Sequence, residues 1–150
     1  MLHVSLRRAR GGVAALEFGL TVPLLLALVG GLTDVGLLCQ ARGQVDLGMA
    51  AGAQYAVLAG SNATPTAAQS AMTNATALAG VTFTASAPAC LCINTAHVLS
   101  SQTCGVACPD GTLPGTYTYL HASYTYQPIT PGISNMLATT ITASAWARLQ

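Results

Sequence analysis

The sequence predicts an α+β chain in which a long N-terminal helix crosses a membrane and extends beyond it into a small outer domain with a short helix and a three-stranded antiparallel β-sheet. Three observations predict this. An uncharged apolar run extends from Phe18 to Thr33, a helical period continues from it to about Gly60, and beyond Gly80 the period changes to two.

The apolar run comes first. Only 6% of the 150 residues are charged and 52% are hydrophobic, against roughly 25% charged in soluble domains, so part of the chain sits in a membrane or an assembly. With Val13 to Leu16 before it, or Val35 to Cys39 after it, the run reaches the roughly 20 residues that a spanning helix requires. Glu17 and Asp34 bound it. Pro23 lies inside, where it removes one backbone hydrogen bond and is expected to kink the helix, a defect that membrane helices accommodate. A cleaved secretory signal fits less well: no small-x-small site follows Leu32, and in "VGLLCQ" a leucine precedes Cys39 where a lipoprotein signal needs a small residue. The paired arginines alone do not make a twin-arginine signal. The expected span is residues 13–39.

Charge orients the span. Arg7, Arg8 and Arg10 precede the run, only Arg42 and Arg148 follow it, and there is no lysine. By the positive-inside tendency the N-terminus is cytoplasmic and the remainder lies outside. Membrane lipid is thus an expected partner. Nucleic acid is not, since no basic patch with interleaved aromatics exists outside the leader.

"QARGQVDLGMAAGAQYAVLAG", residues 40–60, continues the helix, with Val45, Met49, Gly52 or Ala53, and Ala56 at helical spacing and Gln44, Asp46 and Gln54 elsewhere on its surface. A helix from Val13 to Ala59 is roughly 70 Å long at 1.5 Å per residue, about twice a bilayer core, so its outer half packs on something. Gly48, Gly52, Ala56 and Gly60 recur every four residues, a ridge on which another helix can approach closely. The alternative is a chain merely rich in glycine and alanine. Each helical glycine costs about 1 kcal/mol relative to alanine, and packing, within or between molecules, is the expected compensation.

"SNATPTAAQSAMTNATALAG" reads as a turn and a short helix, with Thr64 in the capping position, Pro65 first in the helix and Gly80 at its end. Three alternating segments follow: Val81 to Ser86, Thr116 to Gln127 and Thr139 to Leu149. In the last, Ile141, Ala143, Ala145 and Ala147 share one face, and the sheet is expected to be half-buried against the helix. Tyr117, Tyr119, Tyr124 and Tyr126 divide between both faces of the middle strand and read as sheet packing, and His121 as a half-exposed sheet residue.

Cys90, Cys92, Cys104 and Cys108 lie in the loop 88–115. Their spacing matches no common zinc finger, and the charge topology places them on the oxidising side, so two disulfides are expected and no metal or other cofactor. Cys90 and Cys92 are too close to pair with each other, and each is expected to join Cys104 or Cys108 in an order the spacing leaves open. Cys39 is left over; it reads as a small buried hydrophobe, with an intersubunit bridge as the alternative. Catalysis is not expected, because Glu17, Asp34, Asp46, Asp110, His3, His97 and His121 form no nucleophile, base and orienter set. The Asn-x-Thr sequons at Asn62 and Asn74 read as chance matches.

Gly12 followed by "VAALEF" gives a glycine, four residues, a glutamate and an aromatic, directly ahead of the apolar run. This resembles the cleavage motif of type IV prepilins and, more closely, that of TadE-like pseudopilins of the tight adherence (Flp) pilus systems. "RRARGGVAALEFGLTVPLLLALVGGLTDVG" is similar to their N-termini, "ARGQVDLGMAAGAQYAVLAG" to their Ala-rich helix, and "ASYTYQPITPGI…ITASAWARL" to their closing strand pair. The four-cysteine insertion is not a defining feature of that family.

The resemblance implies that a prepilin peptidase cuts after Gly12, leaving Val13 as the new N-terminus and Glu17 as the fifth mature residue. The freed amine is cationic in an apolar setting, and Glu17 of a neighbouring subunit supplies its counter-charge. Implied partners are the peptidase, other pseudopilins, the inner-membrane assembly proteins of the Tad/Flp system, and like or unlike subunits bound through the N-terminal helix. The expected layout is a cytoplasmic leader 1–12, a transmembrane helix 13–39, its periplasmic continuation 40–60 and a periplasmic domain 61–150. The expected function is that of a minor pseudopilin-like protein in pilus assembly or a related secretion apparatus. The alternative is an uncleaved bitopic anchor in the same membrane whose outer domain binds an extracellular partner or surface.

Overall fold

Between Arg7 and Ala59 a single proline interrupts a sequence otherwise rich in leucine and alanine, and these good helix formers run on without a turn signal. One helix results: α1, Leu6–Ala59, 54 residues with Pro23 inside it, a rod of about 80 Å. It starts before Val13 because the leader segment "LRRAR" is itself made of strong helix formers. The computed structural model describes residues 6–132 and 139–149, with side chains from Gly12 onward; the first five residues of the leader, the side chains of Arg7, Arg8 and Arg10, residues 133–138 of the β4–β5 connection and Gln150 lie outside the described residues.

Gly60 ends α1 in the left-handed region, at φ 54°, which a residue without Cβ adopts at no steric cost. A 3-10 turn, Gly60–Asn62, leads to α2, Pro65–Asn74. Thr64 caps α2 by accepting from the Ala67 N–H at 3.4 Å, with Pro65 at the first position. The helix ends at Asn74, short of Gly80. Gln44 of α1 explains the early stop: its Oε1 accepts from the Thr76 hydroxyl and the Ala77 N–H, both at 3.2 Å. These tertiary bonds hold the chain in an irregular run and turn where "TALAG" would otherwise continue the helix.

The sheet has five strands where three are expected: β1 (Thr82–Ala85), β2 (Ala89–Ile93), β3 (Leu99–Ser101), β4 (Gly115–Thr125) and β5 (Thr140–Arg148), all antiparallel. β4 is its centre. β5 pairs with its whole length, from Tyr117↔Arg148 to Thr125↔Thr140. On its other edge β1 and β2 lie end to end, and β3 pairs outside β2. From Ala85↔Leu120 to Ala89↔Tyr117 the chain takes four steps along one strand and three along β4, so a one-residue bulge separates β1 from β2. Ser86 bridges it. Its N–H donates to the Tyr119 carbonyl at 2.8 Å, its hydroxyl oxygen accepts from the Tyr119 N–H at 2.9 Å, and its carbonyl accepts from the Thr118 hydroxyl at 2.7 Å. β2 is thus the continuation of the first expected strand into the cysteine segment, and β3 is the return of that segment.

The disulfides are Cys90–Cys104 and Cys92–Cys108. Both tie β2 to the loop beyond β3. Cys39, by contrast, is exposed on α1 and free, which corrects the expectation of a buried hydrophobe: the outer domain covers a different face of the helix at that turn. None of the cysteines belongs to the main core cluster. Replacing Cys90 and Cys104 together by serine is therefore expected to remove about 3 kcal/mol, the value for a loop of this length, from the β2–β3 arm alone. Amide exchange at Leu91 and Ser101 then rises while Leu120 and Ala122 keep their protection; equal loss at all four would contradict the separation of arm and core.

The core lies between α1 and the inner face of the sheet. Val45, Met49 and Ala56 of α1 pack with Ala68 and Met72 of α2 and with Phe83, Leu120, Ala122, Ala147 and Leu149 of the sheet region, while Ile141 and Ala143 close its edge. Gly48 and Gly52 let the layers meet. A Cβ on Gly48 would run into the Phe83 ring, and one on Gly52 would lie 2.8 Å from the Met72 sulfur and 3.4 Å from Leu120 Cδ1. The structure thus packs this part of the ridge within the molecule. Gly52→Leu is expected to destabilise the outer domain by at least the roughly 1–3 kcal/mol of an overpacked core, read as a lowered thermal midpoint of the aromatic circular dichroism in detergent.

Candidate functional site

Where α1 leaves its apolar run, the structure places one fully buried carboxylate, Asp34. A buried charge needs several donors to replace water, and the segment after β4 supplies three. The Tyr126 hydroxyl donates to Oδ1 at 2.8 Å, the Ile129 N–H donates to the same oxygen at 2.8 Å, and the Thr130 N–H donates to Oδ2 at 2.9 Å. The local sequence "YQPITPG" aims these groups. Pro128 and Pro131 have no N–H, so the two amides between them are the ones available, and both turn to the carboxylate.

Thr130 also lies against Gly30, one turn earlier on α1: a Cβ there would sit 2.8 Å from the Thr130 hydroxyl. The glycine admits the loop, and the aspartate holds it. Burial foremost, then the Asp34 carboxylate, pushes the Tyr126 phenol up to about 12, so it remains a donor across the physiological range. Gln44, further along α1, makes the second tie, to Thr76 and Ala77. Between the two ties a groove of 260 Å³ opens among Leu37, Ala41, Gln44, Leu78, Tyr124 and Tyr126. Its polar lining groups include the Gln44 amide and the Tyr124 and Tyr126 phenols, so it offers packing and hydrogen bonding.

Sequence reasoning named Asp34 only as the end of the span, and Tyr126 only as sheet packing. An acid at the end of an apolar helix is a visible signal, but its partner lies 92 residues away. The residues expected to matter most stand apart from this clamp. Gly12, Val13 and Glu17 lie on a stretch of α1 that is exposed from Gly12 to Leu20, and nothing approaches within 4 Å of a Cβ placed on Gly12. Gly48, Gly52 and Ala56 are buried under the outer domain, whereas Gly60 is the helix end. Among the described residues no three histidine, cysteine, aspartate or glutamate side chains gather to hold a metal ion.

On the opposite face of the sheet, Tyr119 stacks on His121 with ring centroids 6.4 Å apart and meets Trp146, its cross-strand neighbour, at 4.8 Å. This aromatic row faces away from α1, and Trp146 is exposed.

α1 is long and apolar enough to cross a membrane, and none of its most apolar window is buried. The family model described as TadE-like protein matches residues 12–54. No curated protein and no solved structure matches the chain. The matched segment starts at Gly12 and takes in Glu17, the apolar run, Asp34, Gly48 and Gly52; over these residues, the helix on which the outer domain is built, the chain is similar to TadE-like proteins.

Proposed function

We propose that this chain is a minor pseudopilin-like component of a Tad/Flp-type pilus assembly or an allied secretion apparatus, held in the bacterial inner membrane by α1 with its outer domain in the periplasm. One observation carries the reading: the TadE-like match begins at Gly12, the residue after which a prepilin peptidase would cut, and covers the span and Glu17 that such assembly uses. The exposure of α1 from Gly12 to Leu20 supports it, because a peptidase and neighbouring subunits both need access to that surface. The four remaining expectations follow from it: a leader 1–12, cleavage between Gly12 and Val13, pairing of Glu17 with a neighbour's new N-terminus, and association with like or unlike subunits through α1. No enzymatic activity is assigned.

The deciding experiment is the intact mass of the protein extracted from membranes of cells expressing a prepilin peptidase. A chain beginning at Val13 is expected. A chain still beginning at Met1 would remove the pseudopilin reading and leave an uncleaved anchor with a partner-binding outer domain, for which the row of Tyr119, His121 and Trp146 is the surface to test.

A further inference from the structure

The loop that clamps Asp34 leaves one large apolar side chain outside. Ile129 is 71% exposed although its own amide is fixed to the Asp34 carboxylate. It stands beside the last turns of the apolar run, since the neighbouring Thr130 rests on Gly30, and Leu26, Val29 and Leu32 on those turns are exposed as well. The surface that the bilayer covers on α1 is therefore continuous with Ile129.

The backbone of the loop is also suited to an apolar medium. Of the four residues from Pro128 to Pro131, the two prolines have no N–H and the other two donate to Asp34, so none presents a free amide to lipid, where an unpaired one is costly. No aspartate, glutamate, lysine or arginine occurs from Gly111 to Ala147. A water-facing loop has no need of this combination.

We propose that the Pro128–Pro131 loop is a second membrane contact, which seats Ile129 in the outer interfacial layer of the bilayer that α1 crosses. The proposal rests on the reading of α1 as a spanning helix. Its consequence is a fixed height and tilt for the outer domain: Asp34 joins the domain to the helix, and Ile129 joins the same loop to the lipid surface.

The test uses the full chain in phosphatidylcholine–phosphatidylglycerol liposomes. A Cys39→Ser background carries, in separate samples, a fluorophore on Ile129→Cys, Leu26→Cys or Val98→Cys, with quenchers on the lipid headgroup, at mid-acyl chain, or in solution as iodide. The mid-chain quencher is expected to act on the Leu26 label. The headgroup quencher is expected to act at least about twofold more on the Ile129 label than on the Val98 label, the depth of an interfacial contact. If Leu26 is quenched by lipid but Ile129 behaves like Val98, the loop contact is wrong and the span stands. If Ile129 is shielded from lipid and iodide alike, a second protein copy covers it and the proposal is again overturned. Failure of the Leu26 label to respond to lipid would remove the span and the loop contact together.

Discussion

Asp34→Ala is expected to free the Tyr126–Thr130 segment from α1 while the rest of the outer domain stays folded. The substitution removes the acceptor of three hydrogen bonds at once, and the donors left behind are a buried phenol and two amides with no other partner supplied nearby. Hydrogen bonds to a charged group contribute about tenfold or more each to the equilibrium between closed and open forms, so exchange at the Ile129 and Thr130 amides should rise at least about tenfold. Leu120 and Ala122, in the core formed with Val45 and Met49, should exchange as in the parent chain. Asp34→Asn separates charge from shape. Its amide keeps one acceptor oxygen where the carboxylate uses two, so it should hold one side of the clamp and fall between parent and alanine variant. Unchanged exchange at both amides in Asp34→Ala would mean that the loop is held by other contacts.

How much of this was readable beforehand follows from the range of the interactions involved. α1, the Thr64 cap with Pro65, and the long pair β4 and β5 rest on periodicity and capping within a few residues, and these signals are local. The inner face of β5 is the one its alternation announces for Ile141, Ala143 and Ala147, which face the core while Thr140, Thr142 and Ser144 are exposed; Ala145, expected on the inner face, is exposed and outside the core. Tertiary partners decide the rest. α2 stops at Asn74 because Gln44 captures Thr76 and Ala77 from more than thirty residues away, and β1 and β2 are two strands because Ser86 spends its side chain on a bulge. The cysteine segment forms strands because two disulfides tie it to β2, a pairing that spacing leaves open. The ridge of Gly48 and Gly52 is visible in the sequence, but only the positions of Phe83 and Met72 decide that the close approach occurs within one molecule.

That internal use of the ridge narrows what remains for assembly. With Gly48, Gly52 and Ala56 covered by the outer domain, that ridge is closed to neighbouring subunits, and the acidic residue on the exposed stretch of α1 from Gly12 to Leu20 is Glu17. On the proposed reading, Glu17→Ala should insert normally, since the uncharged run from Phe18 to Thr33 is untouched, yet assembly should fall steeply. Without the carboxylate, the cationic Val13 amine of the neighbouring subunit is left unpaired in lipid, and breaking a buried pair by removing one partner costs about 3–5 kcal/mol, or at least about a hundredfold in association. Glu17→Gln should fail nearly as badly, because an amide offers a hydrogen bond and no countercharge. Glu17→Asp keeps the charge on a shorter stem and should recover part of the assembly. Membrane fractionation and intact mass establish insertion and cleavage, and the amount of sheared pili or cross-linked complex measures assembly. Normal pili from a cleaved Glu17→Ala chain would reject the pairing, and parallel loss in Glu17→Ala and Glu17→Asp would assign the residue to shape in place of charge.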